Sequence, residues 1–257
     1  MRHARVAPGI IAVVLSMAAA FARVESAGAG EDDPYLVPRE EVQRKVRTIA
    51  LWPVILPAGT EDAEPIRTLF ESLIVQKLQS KGFATVAPDE LASVWRRMSE
   101  RLGGVYDPLT GEIRKERYDA AWQHATRELG RRFGVDAVLE VAINEDDWLP
   151  RIKLGLGRDY YAVMGELITW GGEPIFASAP NLPQKLRGVA LGVRLFDLTG
   201  TVMYAYSAGI EWCRIFVARS HEERPRREMY TSVTRNQGAV DRALGALVSV
   251  AEPAAPP

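Results

Sequence analysis

The 257-residue chain contains one cysteine, Cys213. A single thiol cannot close an intramolecular disulfide, so the fold must rest on its core alone. The three histidines, at positions 3, 124 and 221, and that one thiol make no zinc-binding spacing. Neither sign of charge dominates: 32 basic residues against 33 acidic ones leave a net charge of −1. That balance argues against a nucleic-acid binder that works through overall charge. No P-loop, Gly-x-Gly-x-x-Gly or Gly-x-Ser-x-Gly occurs, and Gly155-Leu156-Gly157 starts the second of these without completing it. Ser220-His221-Glu222-Glu223 holds the residue types of a hydrolase site, but adjacent side chains point apart and cannot form a triad. Glu145-Asp146-Asp147 offers oxygen ligands, yet consecutive acids do not converge on one point and read as a solvated strand end.

What is present is the composition of a globular protein. With 47% hydrophobic and 25% charged residues, the chain is neither disordered nor collagenous nor a coiled-coil rod. Its length allows one domain or two small ones. The amino terminus carries the clearest signal. Arg2 and Arg5 precede an apolar run over residues 10–20, broken only by Ser16, and Ala20-Phe21-Ala22 follows. A charged n-region, a short apolar core and small residues at a cleavage site mark a secretory signal peptide over residues 1–22. The run falls short of the roughly 20 residues of a membrane span. An uncleaved anchor is the rival reading. No cysteine follows the apolar core, so lipidation is not expected. Removing Arg2 and Arg5 with the signal leaves 30 basic and 33 acidic residues, a net charge of −3.

Residues 23–44 are small, charged and proline-bearing, and read as a flexible leader. The apolar, β-branched run from Val46, ended by Pro53, predicts a first strand buried on both faces. Thr60, three acids and Pro65 then open a helix on which Ile66, Leu69, Phe70, Leu73, Ile74 and Leu78 form one face. A short strand over residues 83–86 follows, then a helix from Pro88 bearing Leu91, Val94, Trp95, Met98 and Leu102. Residues 105–117 are polar and turn-rich. A third helix is expected from Tyr118 to the cap at Gly134, then a strand over residues 137–143. Residues 144–184 are irregular, with a strand expected in 160–170 and a turn at Gly171-Gly172. Val189, Leu191, Val193 and Leu195 alternate with Ala190, Gly192, Arg194 and Phe196, and a turn at residues 197–200 leads into a return strand over 201–211. An arginine-rich connection over 213–232 precedes a last helix carrying Val240, Ala243, Leu244, Leu247 and Val248. Residues 251–257 read as a disordered tail. This order predicts a single α/β domain with a mixed sheet: early parallel strands, a late antiparallel hairpin, and helices packed on the sheet.

The segments VRTIALWPV, LFESLIVQKLQSKGFATVAPDEL, RRFGVDAVLEVAI and VALGVRLFDLTGTVMYAYSAGIEW, with the closing helix, resemble the TolB amino-terminal-domain-like superfamily of bacterial envelope proteins. That group includes the curli secretion lipoprotein and lipoprotein activators of penicillin-binding proteins. The resemblance spans residues 45–250, with an insertion near 144–185. It implies a role in envelope assembly or secretion through protein–protein binding, without catalysis, and it transfers no functional residue. The chain departs from many members in lacking the lipidation cysteine.

Function is therefore expected where the core pattern is not: in residues 147–182 and 213–230. Trp148, Tyr160, Tyr161 and Trp170 would serve as large apolar anchors. Arg219, Arg224, Arg226 and Arg227 offer planar forks suited to carboxylates or phosphates. Aromatic and arginine side chains dominate interface hot spots. The expected partner is another envelope protein, met in the periplasm. No cofactor, metal, catalytic residue or nucleic acid is expected, nor a transmembrane span after cleavage, and an oligomer is left open. Two rivals stand beside this reading: a small-molecule or lipid-binding module walled by residues 160–176, and a hydrolase whose cleft would hold His124 or His221 beside a carboxylate. Mass spectrometry of the protein isolated from its native cell should find a mature chain beginning at Arg23; a retained Met1 would overturn the cleavage.

Overall fold

The computed structural model describes residues 33–148, 186–217, 220–223 and 228–247. The expected signal peptide, the strand within 160–170 with its turn, and the tail lie outside the described residues. In chain order the elements are α1 (Arg39–Lys45), β1 (Thr48–Leu51), α2 (Ala63–Ser80), β2 (Ala84–Val86), α3 (Pro88–Arg101), α4 (Lys115–Phe133), β3 (Ala137–Trp148), β4 (Leu186–Asp197), β5 (Val202–Trp212), β6 (Arg214–Val217), β7 (Ser220–Glu223) and α5 (Val233–Ala243). The first five strands form one sheet in the order β2-β1-β3-β4-β5. β1 is parallel to β2 and to β3, whereas β3–β4 and β4–β5 are antiparallel. The expected fold class is the one observed.

Alternation along the strands sorts the side chains into two cores. Ile49, Leu51, Leu139, Val141, Leu191, Val193 and Leu195 meet Phe70, Ile74 and Leu78 of α2 and Val240 of α5 on one face. Ala50, Val138 and Ala142 meet Trp95 of α3 and Leu129 of α4 on the other. The chain thus forms three layers, helices over sheet over helices. β3 continues five residues past the expected end and pairs with β4 through all twelve of its positions, from Ala137↔Asp197 to Trp148↔Leu186. In that register Glu140 lies directly opposite Arg194. Both side chains are largely buried, and Arg194 donates to the Glu140 carboxylate from Nε at 3.1 Å and also from its terminal nitrogen. Burial pushes the Glu140 carboxyl up, and the Arg194 charge and hydrogen bonds oppose that shift. The β4–β5 turn closes on Asp197, whose carboxylate accepts from the amides of Thr199 and Thr201, while Gly200 takes the left-handed conformation at φ 94°.

Further boundaries differ from expectation. The leader ends before residue 44: α1 occupies Arg39–Lys45, and Val42 is fully buried. Just ahead of it, residues 34–36 pair with β5, with Leu36 N donating to Met203 O and Ala205 N to Pro34 O, both at 2.9 Å. This cover blunts an otherwise open sheet edge. α4 begins at Lys115, three residues early. The connection over 213–232 contains the antiparallel pair β6–β7, which sets His221 opposite Phe216. α5 begins at Val233, directly after the expected connection and capped by Ser232, but stops at Ala243, short of the expected Leu244 and Leu247; it buries Asn236 and Ala239 as well as Val240 and Ala243. The polarity of Asn236 hides its burial from a reading of the sequence. Its amide nitrogen donates to Tyr230 O at 2.8 Å, and the buried Glu211 accepts from Tyr230 N. Those bonds hold Tyr230 at φ 66°, a conformation that a bulky residue adopts only when its surroundings impose it.

Leu73 of α2 is 8% exposed, and Leu69 beside it is only partly buried. Leu73→Ala should lower the unfolding free energy by about 2–5 kcal/mol, through lost burial and a residual cavity. Chemical denaturation measures it; an unchanged midpoint would mean that α2 packs on another face.

Candidate functional site

Open α/β sheets usually bind ligands beyond the carboxyl ends of the strands, where successive crossovers go to opposite faces. Here that place follows β1, because α2 covers one face and α3 and α4 the other. The chain itself fills it. After β1, Trp52 N donates to Leu139 O and Ile55 N to Val141 O, and Ile143 N donates back to Ile55 O. Trp52 and Ile55 are buried, and Trp52 meets Trp95 edge-on at 5.4 Å. The intervening Val54 is held at both backbone groups: its N–H donates to Glu71 Oε1, and Arg67 Nε donates to its carbonyl, each at 3.1 Å. Half-burial raises the Glu71 carboxyl above its ordinary range, against the opposing pull of the Val54 N–H.

The exposed chemistry lies instead on the outer face of α3 and α4. α3 starts with Pro88 at its first turn and turns Leu91, Val94, Trp95 and Met98 inward. α4 turns Ala121, Ala125 and Leu129 inward and ends at Gly134 in the left-handed conformation. Between the two helices lies a groove of about 480 Å³. Arg101 enters it from α3, and His124, Arg127, Arg131 and Arg132 from α4, with Met98 also in its lining. Glu128 lines it too, but Arg97 holds that carboxylate at 2.6 Å. The groove thus has the histidine and carboxylate of the hydrolase reading, with the carboxylate committed to an arginine and no hydroxyl or thiol among the lining side chains.

The loop leaving the Arg101 end of the groove is built to present one side chain. Asp107 N donates to Glu112 O, Gly111 N to Asp107 O and Arg114 N to Val105 O, at 2.8–2.9 Å. Asp107 Oδ1 accepts from Leu109 N at 2.9 Å and Thr110 N at 3.2 Å, and its Oδ2 takes Arg114 at 2.9 Å. Nearby, Val105 is buried and Arg117 donates to Gly103 O. At the tip Leu109 is 93% exposed, and Ile113 of the same loop is also exposed. The leucine therefore stands in open water on a loop held by its own internal bonds, without packing against the rest of the fold.

Of the expected contact residues, Trp148 ends β3 opposite Leu186. Tyr160, Tyr161, Trp170, Arg219, Arg224, Arg226 and Arg227 lie outside the described residues. Sequence reasoning passes over Leu109 and the groove arginines. Their signals are an apolar residue inside Asp-Pro-Leu-Thr-Gly, and Arg127 and Arg131 one helical turn apart on a polar face. Among the described residues no group of three or more His, Cys, Asp or Glu side chains could hold a metal ion, and no helix is long and apolar enough to cross a membrane.

The chain matches no family model and no curated protein. Solved structures similar to it include three bacterial proteins. Lipoprotein GNA1162 from Neisseria meningitidis is 15% identical, with a TM-score of 0.27, over 63% of this chain and 80% of that one. A PelC dodecamer from Paraburkholderia phytofirmans is 13% identical, with a TM-score of 0.35, over 80% of this chain and 90% of that one. The hypothetical protein CT253 from Chlamydia trachomatis is 12% identical, with a TM-score of 0.27, over 63% of this chain and 70% of that one. None of these names carries the TolB resemblance read from the sequence.

The loop's rigidity is open to titration. The Arg114 hydrogen bond, then the Leu109 and Thr110 amides, hold the Asp107 carboxyl down to about 2. A depressed carboxyl keeps its ordering effect above the usual carboxylate range and loses it as pH falls through the folded value. The Leu109 and Thr110 amide resonances should therefore stay constant down to about pH 3 and move with a midpoint at about 2. A midpoint near the ordinary ~3.9 would show the loop to be unlocked.

Proposed function

We propose that this chain is a non-catalytic, extracytoplasmic protein of the bacterial envelope that acts by binding another protein. The observation that carries the reading is Leu109: an almost fully exposed apolar side chain on a loop locked by the Asp107 carboxylate. Such a side chain contributes nothing to this fold and fits a pocket on a partner. The signal-like amino terminus and the resemblance to TolB-like envelope proteins support the compartment, and the absence of a lipidation cysteine favours a periplasmic protein released after cleavage. Trp148, Tyr160, Tyr161 and Trp170, with Arg219, Arg224, Arg226 and Arg227, are proposed as further contacts on the same partner.

The test is co-purification from the native envelope, compared between parent and variants. Leu109→Asp should reduce recovery of the partner roughly 30-fold, the worth of one hot spot of ~2 kcal/mol. Its melting curve should not change, because the side chain is in water. Arg226→Glu with Arg227→Glu should weaken recovery in the same way. Equal recovery by parent and Leu109→Asp would overturn the contact.

A further inference from the structure

The groove between α3 and α4 gathers exposed positive charge that the described carboxylates do not balance. Among the described residues, Arg101, Arg127 and Arg131 have no carboxylate partner, and Arg132 reaches only the ring of Phe133, 4.8 Å from its centroid. The one acid in the lining is already neutralised by Arg97. Four guanidinium groups therefore share one concavity in a protein whose net charge is −1. Arg127 and Arg131 stand at i and i+4 on one helix, a spacing at which like charges repel. Helix-dipole complementarity accounts for Arg101 and Arg131, which sit in the last turns of α3 and α4. It does not account for Arg127, well before the end of its helix. The like charges of these arginines add to a positive potential that attracts anions to the groove.

The geometry points to a binding site for a phosphate-type oxyanion. Arg101 lines the groove from one helix and Arg127 and Arg131 from the other, which offers an anion guanidinium forks from both helices. His124 supplies a further ring nitrogen to the same space. Met98 is the only apolar side chain of the lining, which leaves little to anchor an acidic polypeptide. The phosphate can come from a soluble ligand or from an anionic lipid headgroup. The site does not depend on the Leu109 contact, and each can fail alone.

Calorimetric titration of the full mature chain with inorganic triphosphate tests it, alongside flotation with phosphatidylglycerol and phosphatidylcholine vesicles. Triphosphate should bind at low salt and weaken as salt shortens the screening length. Arg127→Gln with Arg131→Gln should lower affinity about tenfold or more, as lost charge-assisted contacts do, with an unchanged melting curve. Capture by phosphatidylglycerol vesicles alone, lost in the same variant, would support the site with a lipid source. Absence of binding to both probes would overturn the proposal, as would binding that the variant leaves intact. Hexaglutamate binding as tightly as triphosphate would replace phosphate by an acidic polypeptide and likewise overturn it. If the double variant unfolds, Arg127→Gln alone takes its place with the same expected direction.

Discussion

The twelve-position pairing of β3 with β4 is the constraint on which the rest of the molecule depends. Among the described strands, β3 alone joins the parallel half of the sheet to the antiparallel half. A slip of one residue would send Leu139, Val141 and Ile143 to the opposite face and open both cores at once. The buried Glu140–Arg194 pair sits within this register and penalises such a slip. Displacing one member would leave the other charged, buried and unpartnered, which costs more than the pair itself contributes.

From that register follow the two helical layers, and from the layers the location of whatever the protein does. The crevice where open α/β sheets hold ligands is occupied by Trp52 and Ile55, and the Val54 backbone is pinned by Glu71 and Arg67. The sheet serves as a platform here. It spaces α3 and α4 so that their outer faces form a groove, and it fixes the start of the loop that carries Leu109.

Much of this can be read along the chain. The alternation of Val189, Leu191, Val193 and Leu195 places β4 and its buried face, because period-two patterning is a local record of a two-sided sheet. The apolar faces of α2 and α3 are legible for the same reason at period 3.6. α1 is not, because seven residues with one buried valine carry too little periodicity. The burial of Asn236 in α5 escapes because its polarity interrupts the apolar pattern, while its amide nitrogen is satisfied by a hydrogen bond to Tyr230, six residues earlier. The candidate site is less legible still, since an exposed leucine and a solvated arginine look, in sequence, like any other leucine and arginine.

The sequence by itself determined the element order, the fold class, the two hydrophobic faces and the signal-like amino terminus, because each is written in local periodicity or composition. Only the tertiary structure decided that Leu109 points into water, that the ligand crevice is filled, and that arginines 26 residues or more apart in sequence, Arg101 with Arg127 and Arg131, share one groove. Those outcomes depend on which helix faces meet and which backbone groups a distant carboxylate reaches. No local pattern records them.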